Sequence, residues 1–211
     1  MDREASAPPA VSPPLDRHPV LLLHGIWRTG AVFRTMIRYL RERGFTTHCL
    51  DLKPSSGLAG LDELAEQVRA FAERRFGPGA PFDLVGFSMG GVVARYYVQR
   101  LGGIERVRRL ITISSPHNGS YWAYLQKLPG YLHMRPNSPF LEDLNRDASM
   151  LARINFTSIW TPLDLMIMPP SSSRLPVGEE VLVPAPLHAL MLLDPRSLKA
   201  VAAALAAPLL R

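Results

Sequence analysis

The chain has 211 residues, 47% hydrophobic and 20% charged, a balance that suits one globular domain and excludes disordered, collagen-like and coiled-coil classes. Its formal charge of +6 is spread from Arg3 to Arg211 without a basic run, so no nucleic-acid partner is expected; a solvated basic surface competes with peripheral contact to an anionic lipid surface. The single cysteine, Cys49, excludes an internal disulfide and a thiolate metal cluster, and in F-T-T-H-C-L it reads as a small buried side chain.

Residues 1–17, M-D-R-E-A-S-A-P-P-A-V-S-P-P-L-D-R, lack a continuous apolar core and read as a flexible Pro-rich arm rather than a signal peptide. No apolar stretch reaches the roughly 18 residues of a membrane span, so a soluble, cytoplasmic protein without a transmembrane segment is expected. From Pro19 onward, short apolar runs alternate with segments of helical period. Strands are predicted at 19–24, 46–51, 82–87, 109–114, 157–161 and 180–184, and helices at 31–43, 61–76, 89–101 and 195–207. Val32, Met36, Ile37 and Leu40 share one helical face, as do Leu61, Leu64, Val68 and Phe71; both stripes read as core. The third helix stops at Gly102-Gly103. The pattern predicts an α/β domain over 18–211, with a mostly parallel six-stranded sheet covered by helices on both faces. Residues 116–156 break the alternation with P-H-N-G-S, an aromatic-rich piece and a helix start at Ser138-Pro139, and are expected to form a short cap-like excursion.

The third strand runs into G-F-S-M-G, with Ser88 at its centre and M-G-G-V-V-A-R-Y-Y-V leaving as a helix. A G-x-S-x-G match arises by chance with a probability of about 0.07 in a chain of this length; the strand-then-helix context is what gives it weight. A nucleophile lifted on a strained turn brings neighbouring backbone close, which requires Gly86 and Gly90. It also stands at a helix N-terminus, where developing negative charge is favoured. The rival reading is a glycine-rich turn that merely connects strand and helix.

A serine hydroxyl needs a base, and the base needs an orienting carboxylate, in the chain order Ser, Asp or Glu, His. Of the histidines after Ser88, only His188 lies beyond the last predicted strand. His117 reads as a loop or pocket residue and His133 as part of the excursion. The intervening acids are Glu105, Glu142, Asp143, Asp147, Asp164, Glu179 and Glu180. Asp164 stands alone at a strand end, whereas Asp143 and Asp147 read as the solvated face of a helix. Oxyanion donors are expected from the backbone N–H groups of Met89 and of Ile26 in H-G-I-W, with His24 bracing that loop.

Together V-L-L-L-H-G-I, L-V-G-F-S-M-G-G, S-S-P-H-N-G-S, T-P-L-D-L-M-I-M-P and P-L-H-A resemble the bacterial lipase and esterase branch of the α/β-hydrolase superfamily, close to small triacylglycerol lipases and PGAP1-like hydrolases, over about residues 19–200. The resemblance implies a carboxylic ester hydrolase acting on a small-molecule or lipid ester without cofactor or metal. It assigns Ser88, Asp164 and His188 as triad and Ile26 and Met89 as oxyanion donors. The sequence departs from the branch in W-R-T-G, where many members carry a second glycine, and in having no counterpart before Pro19 of two N-terminal strands. An acyltransferase of the same fold and a catalytically silent binding module are the alternatives.

Overall fold

The computed structural model describes residues 17–210. Of the arm expected over 1–17 only Arg17 falls among them, its guanidinium 4.7 Å from the centre of the Phe45 ring; the rest lies outside the described residues. Six strands, β1 Val20–Leu23, β2 Thr47–Leu50, β3 Phe82–Phe87, β4 Val107–Ile113, β5 Asn155–Trp160 and β6 Glu179–Leu182, form one parallel sheet in the order β2-β1-β3-β4-β5-β6. Among the described residues six α-helices accompany them: α1 Arg34–Arg41, α2 Leu61–Phe76, α3 Met89–Arg100, α4 Pro129–His133, α5 Pro139–Arg146 and α6 Pro195–Ala206.

Alternation along β1 divides the core between the two faces of the sheet. Leu21 and Leu23 pack on the side of Leu61, Leu64 and Val68 of α2 and Val92 and Val93 of α3. Val20 and Leu22 face Met36 and Leu40 of α1 and Leu198 and Val201 of α6. All are fully or almost fully buried, each worth about 1.5–3 kcal/mol of transfer free energy. The helical periods in the sequence therefore mark the faces that cover the sheet.

Boundaries shift where local chemistry intervenes. β4 and β5 each begin two residues earlier than expected. The helix expected over 31–43 opens as a 3₁₀ turn, Gly30–Phe33, before α1; the Thr29 hydroxyl accepts from the Ala31 N–H and Asp51 Oδ1 from the Gly30 N–H, at 2.6 Å. Gly102, at φ +77°, ends the turn after α3. Ser138 caps α5 by accepting from the Leu141 N–H at 3.2 Å, with Pro139 in its first turn. Cys49 is half-buried rather than buried, because β2 is an edge strand. Among the described residues no helix is long and apolar enough to cross a membrane.

The order of the strands has a consequence for ligands. The chain places β2 on one side of β1 and β3 on the other, so loops leaving the carboxyl ends of β1 and β3 diverge and open a crevice there. Ser88 follows β3 and Ile26 follows β1 by three residues.

Candidate active site

Ser88 sits at φ +55° and ψ −125°, a region that only a constrained turn imposes on a serine. The glycines around it are required by backbone contact. A Cβ on Gly86 would lie against Gly90 O at 2.6 Å and closer still to Gly91 Cα, and one on Gly90 would meet Leu23 O and His24 O of the neighbouring strand end. The close packing of β3 on α3 that holds the elbow up therefore leaves no space for a side chain at either position.

His188 opens a 3₁₀ turn, His188–Leu192, after β6. Its Nδ1 is 2.7 Å from Asp164 Oδ2, and its ring centre is 4.7 Å from that of Phe87, the residue before Ser88. Asp164 is buried after β5, and its Oδ1 accepts from the N–H groups of Met166 and Ile167 at 2.8 and 2.9 Å. Both carboxylate oxygens are thus engaged. The ring has one way to use Nδ1 here, as a donor, which leaves Nε2 as the free acceptor. Among the described residues no hydrogen bond joins Ser88 to His188.

On the other side of Ser88 lies the loop after β1. A Cβ on Gly25 would be 3.0 Å from Ser88 Cβ. His24, fully buried, accepts from the Leu52 N–H at Nε2, 2.9 Å, so its Nδ1–H donates to Gly25 O, also 2.9 Å. In a trans peptide the carbonyl and the following N–H point in opposite directions. Holding Gly25 O therefore sets the direction of the Ile26 N–H. Met89, fully buried, opens α3 directly after Ser88.

Ser88 borders a cavity of about 310 Å³. Ile26 and Trp27 line it from the loop after β1, Ser120, Trp122, Leu125, Tyr131 and Met134 from residues 116–156, and Met166 and Ile167 from the acid's loop. The walls are apolar and aromatic, suited to a hydrophobic group beside the serine.

Ser120 has a part that sequence reasoning missed. Its hydroxyl donates to Met166 O at 2.9 Å and accepts from the Met168 N–H at 3.0 Å, clamping the turn whose N–H groups hold Asp164. The motif S-S-P-H-N-G-S was visible, but nothing in one dimension shows that it meets residues 164–172. Asn118 adds to the same seam, its side-chain N–H₂ donating to Ser172 O and Arg174 O. His117 is fully buried; Arg95 Nη1, which only donates, faces its Nδ1 at 3.5 Å, so Nε2–H donates to Thr112 Oγ1 at 2.9 Å. Burial, with Arg95 beside it, holds His117 well below its ordinary pKa. Arg95 is itself enclosed, donating to Gln99 Oε1, Leu144 O and Asn145 Oδ1, and burial lowers it to about 9.

The other histidine and acids stand away from the serine. His133 accepts from the Leu61 N–H and stacks on Phe140 at 4.2 Å. Asp143 and Asp147 are ion-paired with Arg100 at 2.8 and 2.7 Å, more engaged than the solvated face expected of them. Among the described residues no three His, Cys, Asp or Glu side chains gather in a way that could hold a metal ion.

Residues 18–178 match the family model of the alpha/beta hydrolase fold. Among solved structures, the chain is similar to the mature Bacillus licheniformis lipase BlEst2, with a TM-score of 0.66 at 16% identity over 83% of this chain and 87% of that one. Aspergillus fumigatus lipase B superposes with a TM-score of 0.77 at 17% identity, over 90% of this chain, which spans 53% of that larger one. MGS-MChE2, an alpha/beta hydrolase from a lagoon-sediment metagenome at Mar Chica, Morocco, gives 0.64 at 19% identity over 88% and 89%. No curated protein sequence matches the chain. With the sheet order, the strained serine elbow and the family match in agreement, the chain belongs to the alpha/beta hydrolase fold family.

Proposed function

We propose that the protein hydrolyses carboxylic esters with a hydrophobic acyl group, as a lipase or esterase does, through an acyl-enzyme on Ser88. The observation that carries this reading is the Asp164–His188 contact of 2.7 Å, made by a ring that packs on Phe87 at the foot of the serine elbow. His188 Nε2 takes the hydroxyl proton as Ser88 Oγ bonds to the ester carbonyl carbon. The imidazolium that results is stabilised by Asp164. The carbonyl electrons move to oxygen, and the N–H groups of Ile26 and Met89 receive that oxyanion. One such donor is worth about 10²–10³ in kcat.

Collapse of the tetrahedral intermediate breaks the ester C–O bond, and His188 passes its proton to the departing alkoxide. Water, deprotonated by the same Nε2, then attacks the acyl carbon, releases the acid and restores the Ser88 hydroxyl. The cavity's aromatic wall supports a hydrophobic acyl chain, and the resemblance of five sequence motifs to those of small triacylglycerol lipases and PGAP1-like hydrolases is in keeping with it.

A fluorophosphonate probe tests the reading. It should label the wild-type protein and leave Ser88→Ala unlabelled, and a chain-length series of p-nitrophenyl esters should be turned over by the former alone. Labelling that persists in Ser88→Ala, or a labelled serine with no ester turnover, overturns it. Added alcohol acceptors distinguish water from an alcohol as the terminal acyl acceptor.

A further inference from the structure

The mouth of the cavity is bordered by apolar side chains that the fold leaves in water. Trp27 is 64% exposed, Leu125 65% and Leu165 61%; Tyr121, Trp122 and Tyr124 are between 45% and 63% exposed. They form one surface. Trp122 Nε1 donates to Leu165 O at 2.6 Å, the Tyr121 N–H donates to Met168 O at 2.9 Å, and Tyr121 stacks on Tyr124 with centroids 6.4 Å apart. A continuous apolar patch at this position marks an interaction site.

The charge on this surface is one-sided. Segments 116–135 and 161–175 contain a single acid, Asp164, and it is buried against His188. Their cations are Lys127, Arg135 and Arg174. Arg174 pairs with Glu180 at 2.8 Å, while among the described residues neither Lys127 nor Arg135 has a carboxylate partner. Arg135 donates to Ala123 O and Gln126 O and lies over the Tyr124 ring at 4.8 Å, so Lys127 is the more available of the two cations. Exposed tryptophan and tyrosine beside Lys127 and Arg135, on segments whose own single acid is buried and whose neighbouring acids, Glu180 and Asp62, face Arg174 and His133, match the interfacial zone of an anionic bilayer: rings seat at headgroup depth while cations meet the phosphates.

We propose that this rim docks the protein on anionic lipid surfaces, with the cavity mouth facing the lipid. The proposal stands on the surface alone and not on ester hydrolysis, so it is tested with full-length Ser88→Ala protein, which also leaves the lipid intact. Vesicles of phosphatidylcholine alone and of phosphatidylcholine with phosphatidylglycerol are the probes, read by co-sedimentation and by tryptophan emission. Trp27 and Trp122 are exposed and Trp160 is buried, so emission reports insertion of the rim.

Binding to the mixed vesicles, with a blue shift, and much weaker binding to phosphatidylcholine alone is the expected result. Lys127→Gln should weaken it about fivefold, the effect of one charge near such a surface. Tyr121→Ser should weaken it about tenfold, from the apolar area withdrawn. Neither side chain belongs to the catalytic set or to the cavity lining, so in the Ser88-containing protein both variants should keep wild-type turnover of a soluble ester. Absence of vesicle binding overturns the proposal, as does binding that both variants retain in full. Salt-reversible adsorption without a blue shift would mean that only the general basic charge is at work. A concentration-dependent dimer in sedimentation equilibrium that Tyr121→Ser dissociates would make the occupant a second copy of the chain.

Discussion

At the scale of single residues, the proposed mechanism makes Ser88, His188 and Asp164 act as a unit, and that sets how substitutions combine. Ser88→Ala and His188→Ala should each lower kcat by about 10⁴–10⁶-fold, and the double variant should be little worse than either; multiplicative losses in steady-state kinetics would count against a shared role. Asp164→Asn should cost about 10⁴-fold, since an amide cannot stabilise the imidazolium or hold its tautomer. Ser120 borders the cavity, and on the proposed mechanism its hydroxyl acts on the turn behind Asp164 as a positioning group. Its hydroxyl clamps the turn at Met166 and Met168, and small displacements of a catalytic group carry large penalties. Ser120→Ala is expected to reduce kcat about tenfold to a hundredfold with KM nearly unchanged and to shift the pH–rate profile, whereas Ser120→Thr restores most of the rate. A uniform loss of folded protein with normal kcat in the remainder would instead indicate a merely structural hydroxyl.

At the scale of elements, the stretch from Pro116 to Phe156 folds as short pieces: a 3₁₀ turn at Tyr121–Leu125, α4, α5 and a second 3₁₀ turn at Ala148–Arg153. They are pinned beneath by buried groups. Arg95 and Gln99 of α3 both donate to Leu144 O, and Asn145 donates to His117 O. On the proposed mechanism, a cap tied to the helix that follows Ser88 should serve as a fixed wall rather than a gate. Hydrolysis of p-nitrophenyl butyrate should therefore be appreciable below its solubility limit and rise only modestly above it. A steep rise confined to aggregated substrate would mean that the cap closes over Ser88 in water.

At the scale of the whole molecule, two buried titrating groups on opposite ends of the sheet bias stability in opposite senses. Near its amino end, Asp83 pairs with Arg109 at 3.2 Å, and burial pushes the carboxyl up to about 7 against the pull of the guanidinium. Folding then favours the protonated acid. This contribution is fully present below the unfolded carboxyl pKa of about 4 and is lost as pH rises through about 7. His117 works the other way. Its folded pKa is lowered, so the unfolded chain binds the proton more tightly and stability falls as pH drops below about 6.5. The two overlap between about pH 4 and 6.5, where His48 and His133, also held below their ordinary value by burial, add to the acid-side loss. His117→Gln should remove the largest part of the acid-side loss, so that its urea midpoint falls less than that of wild type on going from pH 7 to pH 5. A midpoint that still falls in parallel with wild type would show that His117 is not the group responsible.

Alternating periods of two and 3.6 residues determined the class of fold and which faces of α1, α2 and α3 are covered, because those periods are imposed by local geometry and by the need to hide apolar side chains. The glycine spacing around Ser88 was equally legible, since it reflects backbone crowding within a few residues of chain. The acid and the base could be narrowed only by chain order. Their contact joins residues 24 positions apart from the ends of two neighbouring strands, and it exists because β5 and β6 lie side by side. The bracing of the loop after β1 by His24 was legible in H-G-I-W, but the clamp of Ser120 on Met166 and Met168, the pairing of Asp143 and Asp147 with Arg100 and the exposure of the aromatic rim were decided by tertiary structure alone. Hydrogen-bond partners distant in sequence leave no periodic trace in it. An exposed tryptophan at a cavity mouth has the same letter as a buried one.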